Sequence, residues 1–381
     1  MRLLRRVGGL FLVALALGMA GCRLTQHTSV PPSAAMTATV AATYGDHTGS
    51  MKIGGLTRTW LLHVPDKYSS LNPAPLLLAL HGRLGDGKGM ASLTHLSQVS
   101  DQYGFIAVYP DGYQRGWADG RGATTADQAG VDDVAFLSAL IATISGTYAI
   151  DAQRVYVTGI SNGGFMSQRL GCDLSAKIAA IAVDAATFPV NLADRCAPSH
   201  PMPVLLFNGT ADPLVPFQGG TVAGDRGEVF SAPQTAARWA ALAGCAPTTT
   251  SATVPTLVND GTTVSDVTFS SCGGNALVRF YTIDGGGHTW PGGTQYLPAS
   301  IVGKTTRNLD ASQTLWAFVS QFTLASLAPR WVAHRSLKAT ANPGANRASC
   351  QQRGSQASGL AAGLKPAAWC PATACGVRTT M

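Results

Sequence analysis

The sequence predicts an α/β protein with a mostly parallel central sheet and helices on both faces. Two observations carry that expectation. Short runs that are apolar throughout alternate, along residues 48–328, with stretches of helical spacing. Strands of that kind belong to sheets covered on both faces. The 381 residues are also 46% hydrophobic and only 12% charged, which excludes a disordered chain or a coiled coil.

The elements follow in order. Leu56 to Val64 (LTRTWLLHV) and Pro75 to His81 (PLLLALH) read as strands. A helical stretch near 90–102 precedes the strand Phe105 to Tyr109 (FIAVY). Residues 132–148 carry apolar residues at helical spacing, with Asp132 or Asp133 suited to cap the start. Substrate binding is the weaker reading of those two carboxylates. Arg154 to Thr158 (RVYVT), Ile178 to Val183 (IAAIAV), Val204 to Phe207 (VLLF) and Ala276 to Ile283 (ALVRFYTI) complete the strands. Helices are expected from Asn162, near 232–243 and over 308–324. Trp60 and Trp239 fall on a strand and a helix and read as core.

The ends differ from this body. Residues 1–22 read as an export signal: Arg2, Arg5 and Arg6 start it, and Val7 to Ala20 form an apolar run shorter than the roughly 20 residues a membrane-spanning helix needs. Met19-Ala20-Gly21-Cys22 resembles a bacterial lipobox with Met in the usual Leu place. Two destinations stay open, plain secretion to the extracellular space or periplasm, and outer-membrane attachment through a lipidated Cys22. Residues 23–47, rich in Thr, Ser, Ala and Pro, read as a flexible tether. Residues 329–381 hold no Asp or Glu and no sustained apolar period. They read as a basic, disordered tail rather than a small binding module.

Charge follows the same division. Residues 1–26 and 329–381 carry eleven Arg and Lys and no acid, leaving 16 bases against 20 acids in residues 27–328, a net of −4. The overall +7 therefore gives no reason to expect nucleic-acid binding. Cys172, Cys196, Cys245 and Cys272 lie in the body. Pairing 172 with 196 and 245 with 272 is the simplest of three arrangements and agrees with export. No C-x-x-C or H-E-x-x-H pattern suggests a metal, and nothing points to a nucleotide or flavin cofactor.

The chemistry gathers at strand ends. Gly159-Ile160-Ser161-Asn162-Gly163 fits G-x-S-x-G, follows the strand RVYVT and opens a helical run, the context of a nucleophile elbow. A serine hydroxyl needs a base, and the base a carboxylate to orient it. The order Ser, acid, His along the chain is supplied by Ser161, Asp212 (after VLLF) and His288 (after ALVRFYTI, in GGGHTW). His200, which precedes the Asp212 strand, and His334, in the tail, compete poorly, as do Asp284, Asp225 and Glu228. An oxyanion hole needs two backbone N–H groups. Asn162 supplies one, and Arg83, or failing it Leu84, the other from the loop after LLLALHG. His81 reads as a brace for that loop. Trp117 and Trp290 follow strand-end loops and are candidates to line an acyl pocket.

With these residues assembled, the chain resembles the polyhydroxybutyrate depolymerase family of esterases, which also includes secreted feruloyl and acetylxylan esterases. The matching stretches are LLLALHG, VYPDG, VDDVAFL, RVYVTGISNGGFMSQRLGC, FNGTADPLVPFQGG and GGGHTWPGG, between about residues 48 and 324. The resemblance implies an α/β-hydrolase fold, Ser161, Asp212 and His288 as triad, and the Cys172–Cys196 and Cys245–Cys272 pairs. It implies a serine esterase cleaving polyester or oligoester bonds through an acyl-enzyme, or else feruloyl or acetyl esters on plant cell-wall polysaccharide. Arg83 departs from the pattern, standing where a smaller or neutral residue is expected. Two rivals differ in test: a serine peptidase on the same fold would turn over amides as well as esters, and a binding protein with a relic triad would leave Ser161 unlabelled by a fluorophosphonate.

Overall fold

The computed structural model describes residues 43–327. The expected export signal, the lipidation at Cys22, most of the tether and the 329–381 tail lie outside them.

Among the described residues, twelve strands and nine α-helices follow one another: β1 Gly45–Ile53, β2 Leu56–Val64, β3 Ala74–Leu80, α1 Gly87–Thr94, α2 Leu96–Tyr103, β4 Ile106–Pro110, α3 Thr125–Gln128, α4 Asp133–Thr147, β5 Ile150–Ile160, α5 Asn162–Asp173, β6 Ala180–Asp184, β7 Val204–Gly209, β8 Gly220–Thr221, β9 Glu228–Val229, α6 Ala232–Leu242, β10 Thr249–Val254, β11 Thr263–Phe269, β12 Val278–Asp284, α7 Ala299–Val302, α8 Ala311–Val319 and α9 Leu324–Leu327. Ten strands form one sheet in the order β1-β2-β4-β3-β5-β6-β7-β12-β11-β10. The six from β4 to β12 run parallel, and antiparallel pairs flank them on both sides. The central strands β3, β4, β6 and β7 are buried at every residue, as their unbroken apolar runs require.

Register shows that the helices cover both faces. Val157 pairs with Ile181, so the two point to one side, where Ile181 packs against the backbone of α5 at Gly171. Tyr156 points the other way, stacks edge-on against Trp316 of α8 and donates its hydroxyl to the Phe322 carbonyl. On the α8 face, Ser312 donates to the Thr94 carbonyl, holding α8 to the α1–α2 pair. On the α5 face, Trp239 of α6 donates to Gln168.

The two edge strands escaped the sequence reading for one cause, and the two-residue β8 and β9 escaped it besides. β1, β10 and β11 were not among the expected strands. β1 (GDHTGSMKI) alternates half-buried with exposed residues and β10 (TTSATV) is exposed along five of its six, so neither edge strand has an apolar run to announce it. The folded body accordingly starts at Gly45, inside the stretch assigned to the tether. Both disulfides form as expected, Cys172–Cys196 and Cys245–Cys272. Among the described residues no helix is long and apolar enough to cross a membrane.

Candidate active site

The site is built at the carboxyl ends of the parallel strands, where open α/β sheets bind ligands. Ser161 joins β5 to α5 with φ 57° and ψ −121°, a conformation that non-glycine residues adopt only under strain. Its amide donates to the Asp184 carbonyl at 2.9 Å and its carbonyl accepts from Phe165 at 2.8 Å, so the turn is fixed on both sides. The flanking glycines are required by space. A Cβ on Gly159 would meet the Gly163 backbone, and one on Gly163 would meet the Leu80 and His81 carbonyls.

Asp212 and His288 come from the loops after β7 and β12. His288 Nδ1 donates to Asp212 Oδ2 at 2.7 Å, and the other carboxylate oxygen accepts from the amides of Leu214 and Val215 at 2.7 and 2.9 Å. Both side chains are buried, so the pair is held in a low dielectric with every Asp212 bond charge-assisted. The histidine loop is tied down through Gly287, whose amide donates to the Lys304 carbonyl at 2.9 Å, and through Tyr296, whose hydroxyl donates to the His288 carbonyl at 2.9 Å. Burial pushes the Tyr296 phenol well above its usual range.

Ser161 and His288 line one cavity of about 520 Å³, together with Arg83, Asn162 and Tyr296. The Ser161 hydroxyl has no hydrogen-bond partner among the described residues; Nε2 of His288 is the ring nitrogen left over once Nδ1 has engaged Asp212. Of the oxyanion donors weighed from sequence, the amides of Arg83 and Asn162 make no hydrogen bond among the described residues, whereas Leu84 N–H is taken by the Arg115 carbonyl at 2.8 Å. The second choice, Leu84, is therefore removed. His81 is the expected brace. Gly112 N–H donates to its Nε2 at 2.9 Å, which leaves the proton on Nδ1 to reach the Gly82 carbonyl at 2.7 Å. Burial lowers its pKa, so it stays neutral there.

Trp117 and Trp290 do not line the cavity. Trp117 is fully buried behind the loop after β3, donating its indole N–H to the His81 carbonyl at 2.9 Å. Trp290 is buried with its N–H on Ser312. Position after a strand end does not say which way a ring points. The apolar lining comes instead from Met90, Leu93, Phe165, Leu214, Val222 and Ile301. Asp132 caps α4 through the Ala135 amide, and buried Asp133 pairs with Arg58 at 2.7 Å, so neither faces substrate.

A network missed by the sequence reading holds the elbow from behind. The Asn162 side chain donates to Asp119 at 2.6 Å and accepts from the Trp117 amide at 2.8 Å. Asp119, fully buried, takes two guanidinium bonds from Arg121, at 3.0 and 2.7 Å. Burial pushes the Asp119 carboxyl up and Arg121 pulls it back. The run Trp117-Ala118-Asp119 and the Asn in SNGG were the available signals. Among the described residues no group of three or more His, Cys, Asp or Glu could hold a metal.

The strand order, with a strained serine after β5, an acid after β7 and a histidine after β12, defines an α/β-hydrolase. Residues 59–214 match the model of a family described as Esterase PHB depolymerase. The chain is 30% identical over 332 residues to NocK of Nocardia uniformis subsp. tsuyamanensis, which carries the name of an esterase, covering 81% of this chain and 96% of that one. It is 30% identical over 240 residues to feruloyl esterase B of Piromyces equi, covering 61% of this chain and 42% of that one, so it spans under half of that relative. Acetyl xylan esterase from Aspergillus awamori superposes with a TM-score of 0.46 at 17% identity, over 64% of this chain and 94% of that one. The protein is thus an esterase of the α/β-hydrolase fold, and it belongs to the PHB depolymerase esterase family.

Proposed function

We propose that this protein is a serine carboxylic-ester hydrolase that works outside the cytoplasm on polyester or oligoester bonds. One observation carries the reading: the strained Ser161 elbow and the buried Asp212–His288 pair open onto one cavity. His288 Nε2 takes the Ser161 proton as Oγ attacks the ester carbonyl. Asp212 keeps the ring in the required tautomer and stabilises the imidazolium. The amides of Arg83 and Asn162 receive the oxyanion. The alcohol leaves with the proton from His288, and water then releases the acid from the acyl-enzyme. The two disulfides support an oxidising compartment, in line with the export signal read at residues 1–22. Names of relatives (feruloyl esterase B, and a bifunctional acetylxylan esterase/xylanase of Neocallimastix patriciarum) favour a second reading, feruloyl or acetyl esters on plant polysaccharide.

The test is Ser161→Ala assayed with 4-nitrophenyl butyrate. Loss of kcat by about 10⁴-fold or more is expected, because removing a triad nucleophile leaves only residual catalysis. Near-full activity would remove Ser161 from the mechanism. Parallel assays on hydroxybutyrate oligomers, methyl ferulate and acetylated xylan separate the substrate readings.

A further inference from the structure

Three arginines line the cavity that holds Ser161: Arg83, exposed, from the loop after β3, Arg121 from the loop after β4, and Arg226 from the turn between β8 and β9. Arg121 is committed, bound to Asp119 and to the Arg226 carbonyl at 2.9 Å. Arg83 and Arg226 have no ion-pair partner among the described residues. The nearby carboxylates are used elsewhere or turned out: Asp119 serves Arg121, Glu228 bonds Thr221, and Asp225 is exposed. Burial lowers the Arg226 pKa, and the facing Arg83 and Arg121 lower it further.

Residues 27–328 carry a net charge of −4, so this clustering is local and not part of a basic surface. Like charges that face one another repel and cost the free protein some stability, less where one of them is exposed, as Arg83 is. An anion arriving there removes that cost and gains planar, paired hydrogen bonds that a guanidinium suits well. Position makes the anion part of the substrate. The backbone of Arg83 supplies an oxyanion amide in the proposed mechanism, so its side chain starts one residue from the reacting carbonyl. Beyond the polar groups of the site itself, the wall is largely apolar (Met90, Leu93, Leu214, Val222, Ile301) and carries no carboxylate.

We propose that Arg83 and Arg226 form an anion subsite that selects esters bearing a carboxylate a short spacer from the scissile bond, such as the free-acid end of a hydroxyacid oligoester. The inference rests on the serine-esterase reading and narrows its substrate. It also gives the unexpected Arg83 a use.

The experiment compares the dimer of 3-hydroxybutyrate as its free acid with the same dimer capped as an N-methylamide, in wild type, Arg226→Gln and Arg226→Lys. The readout is the ratio of kcat/KM for acid over amide within each protein, which cancels general losses. A wild-type ratio of about ten or more is expected, dropping toward one in Arg226→Gln and in about 0.5 M NaCl, and partly kept in Arg226→Lys. A wild-type ratio near one overturns the subsite, as does a ratio unchanged by Arg226→Gln, or cleavage of 4-nitrophenyl butyrate with neither dimer touched. Failure to hydrolyse 4-nitrophenyl butyrate at all overturns instead the esterase reading beneath it.

Discussion

Asp184 ends β6 fully buried, its Oδ2 without a hydrogen-bond partner among the described residues. Desolvation, and then the Asp212 charge, raise its pKa well above the carboxylate range. Between the unfolded value, about pH 4, and the raised folded one, the folded protein holds a proton that the unfolded chain releases. A group with a raised folded pKa contributes fully below the unfolded value, and its contribution is lost as pH rises toward the folded one. Asp184→Asn cannot ionise, so its Tm should match wild type near pH 4 and exceed it increasingly toward pH 7. A Tm difference that is flat across that window would show that Asp184 does not carry a buried proton. At this scale the sequence reading proposed Ser161, Asp212 and His288 because chain order and strand ends constrain a triad. It missed Asp119 and Arg121, whose meaning depends on contact with Asn162 and Arg226, 43 and 105 positions away.

The strand–turn–helix β5–Ser161–α5 is the element on which the proposed chemistry depends, and Gly163 sets how closely it packs on β3. A Cβ there meets two backbone carbonyls, Leu80 and His81. Neither can move freely, because Leu80 is paired with Gly159 in the sheet and the His81 carbonyl holds the Trp117 indole. Gly163→Ala should cost about 1–3 kcal/mol or more, seen as a Tm lower by several degrees, and should reduce kcat by disturbing the Arg83 loop. Gly146 in α4 has open space around its Cβ position, so Gly146→Ala is the control and should be neutral or stabilising by up to about 1 kcal/mol. Equal effects at the two positions would deny Gly163 its steric role. Elements were legible from sequence wherever burial is two-sided. β3, β6 and β7 stood out as apolar runs, while β1 and β10 did not, since an edge strand facing water needs no such run. The last helix was expected as one piece over 308–324 and is two, α8 and α9, separated by four residues.

Across the whole molecule, the three loops that the proposed mechanism brings together come from strands β5, β7 and β12, and each is anchored to a parallel ladder. The disulfides join cysteines outside the proposed triad and restrict the unfolded chain. Cys172–Cys196 closes a separation of 24 residues between the end of α5 and the segment before β7, so it links the element carrying Ser161 to the one that delivers Asp212. Cys245–Cys272 closes 27 residues around β10 and β11, strands in the outer part of the sheet that bury little of their own. Each closure is worth about 3 kcal/mol in the chain-entropy account. Spread over a body of this size, one such loss lowers Tm by roughly 5 °C. Cys172→Ala with Cys196→Ala should therefore melt lower by that amount while keeping kcat at 25 °C within about twofold, because the hydrogen bonds that orient Asp212 and His288 are local to their own loops. Calorimetry beside an ester assay decides it: a large loss of kcat at 25 °C, well below the melting range, would mean that the covalent tie itself sets the distance between Ser161 and Asp212.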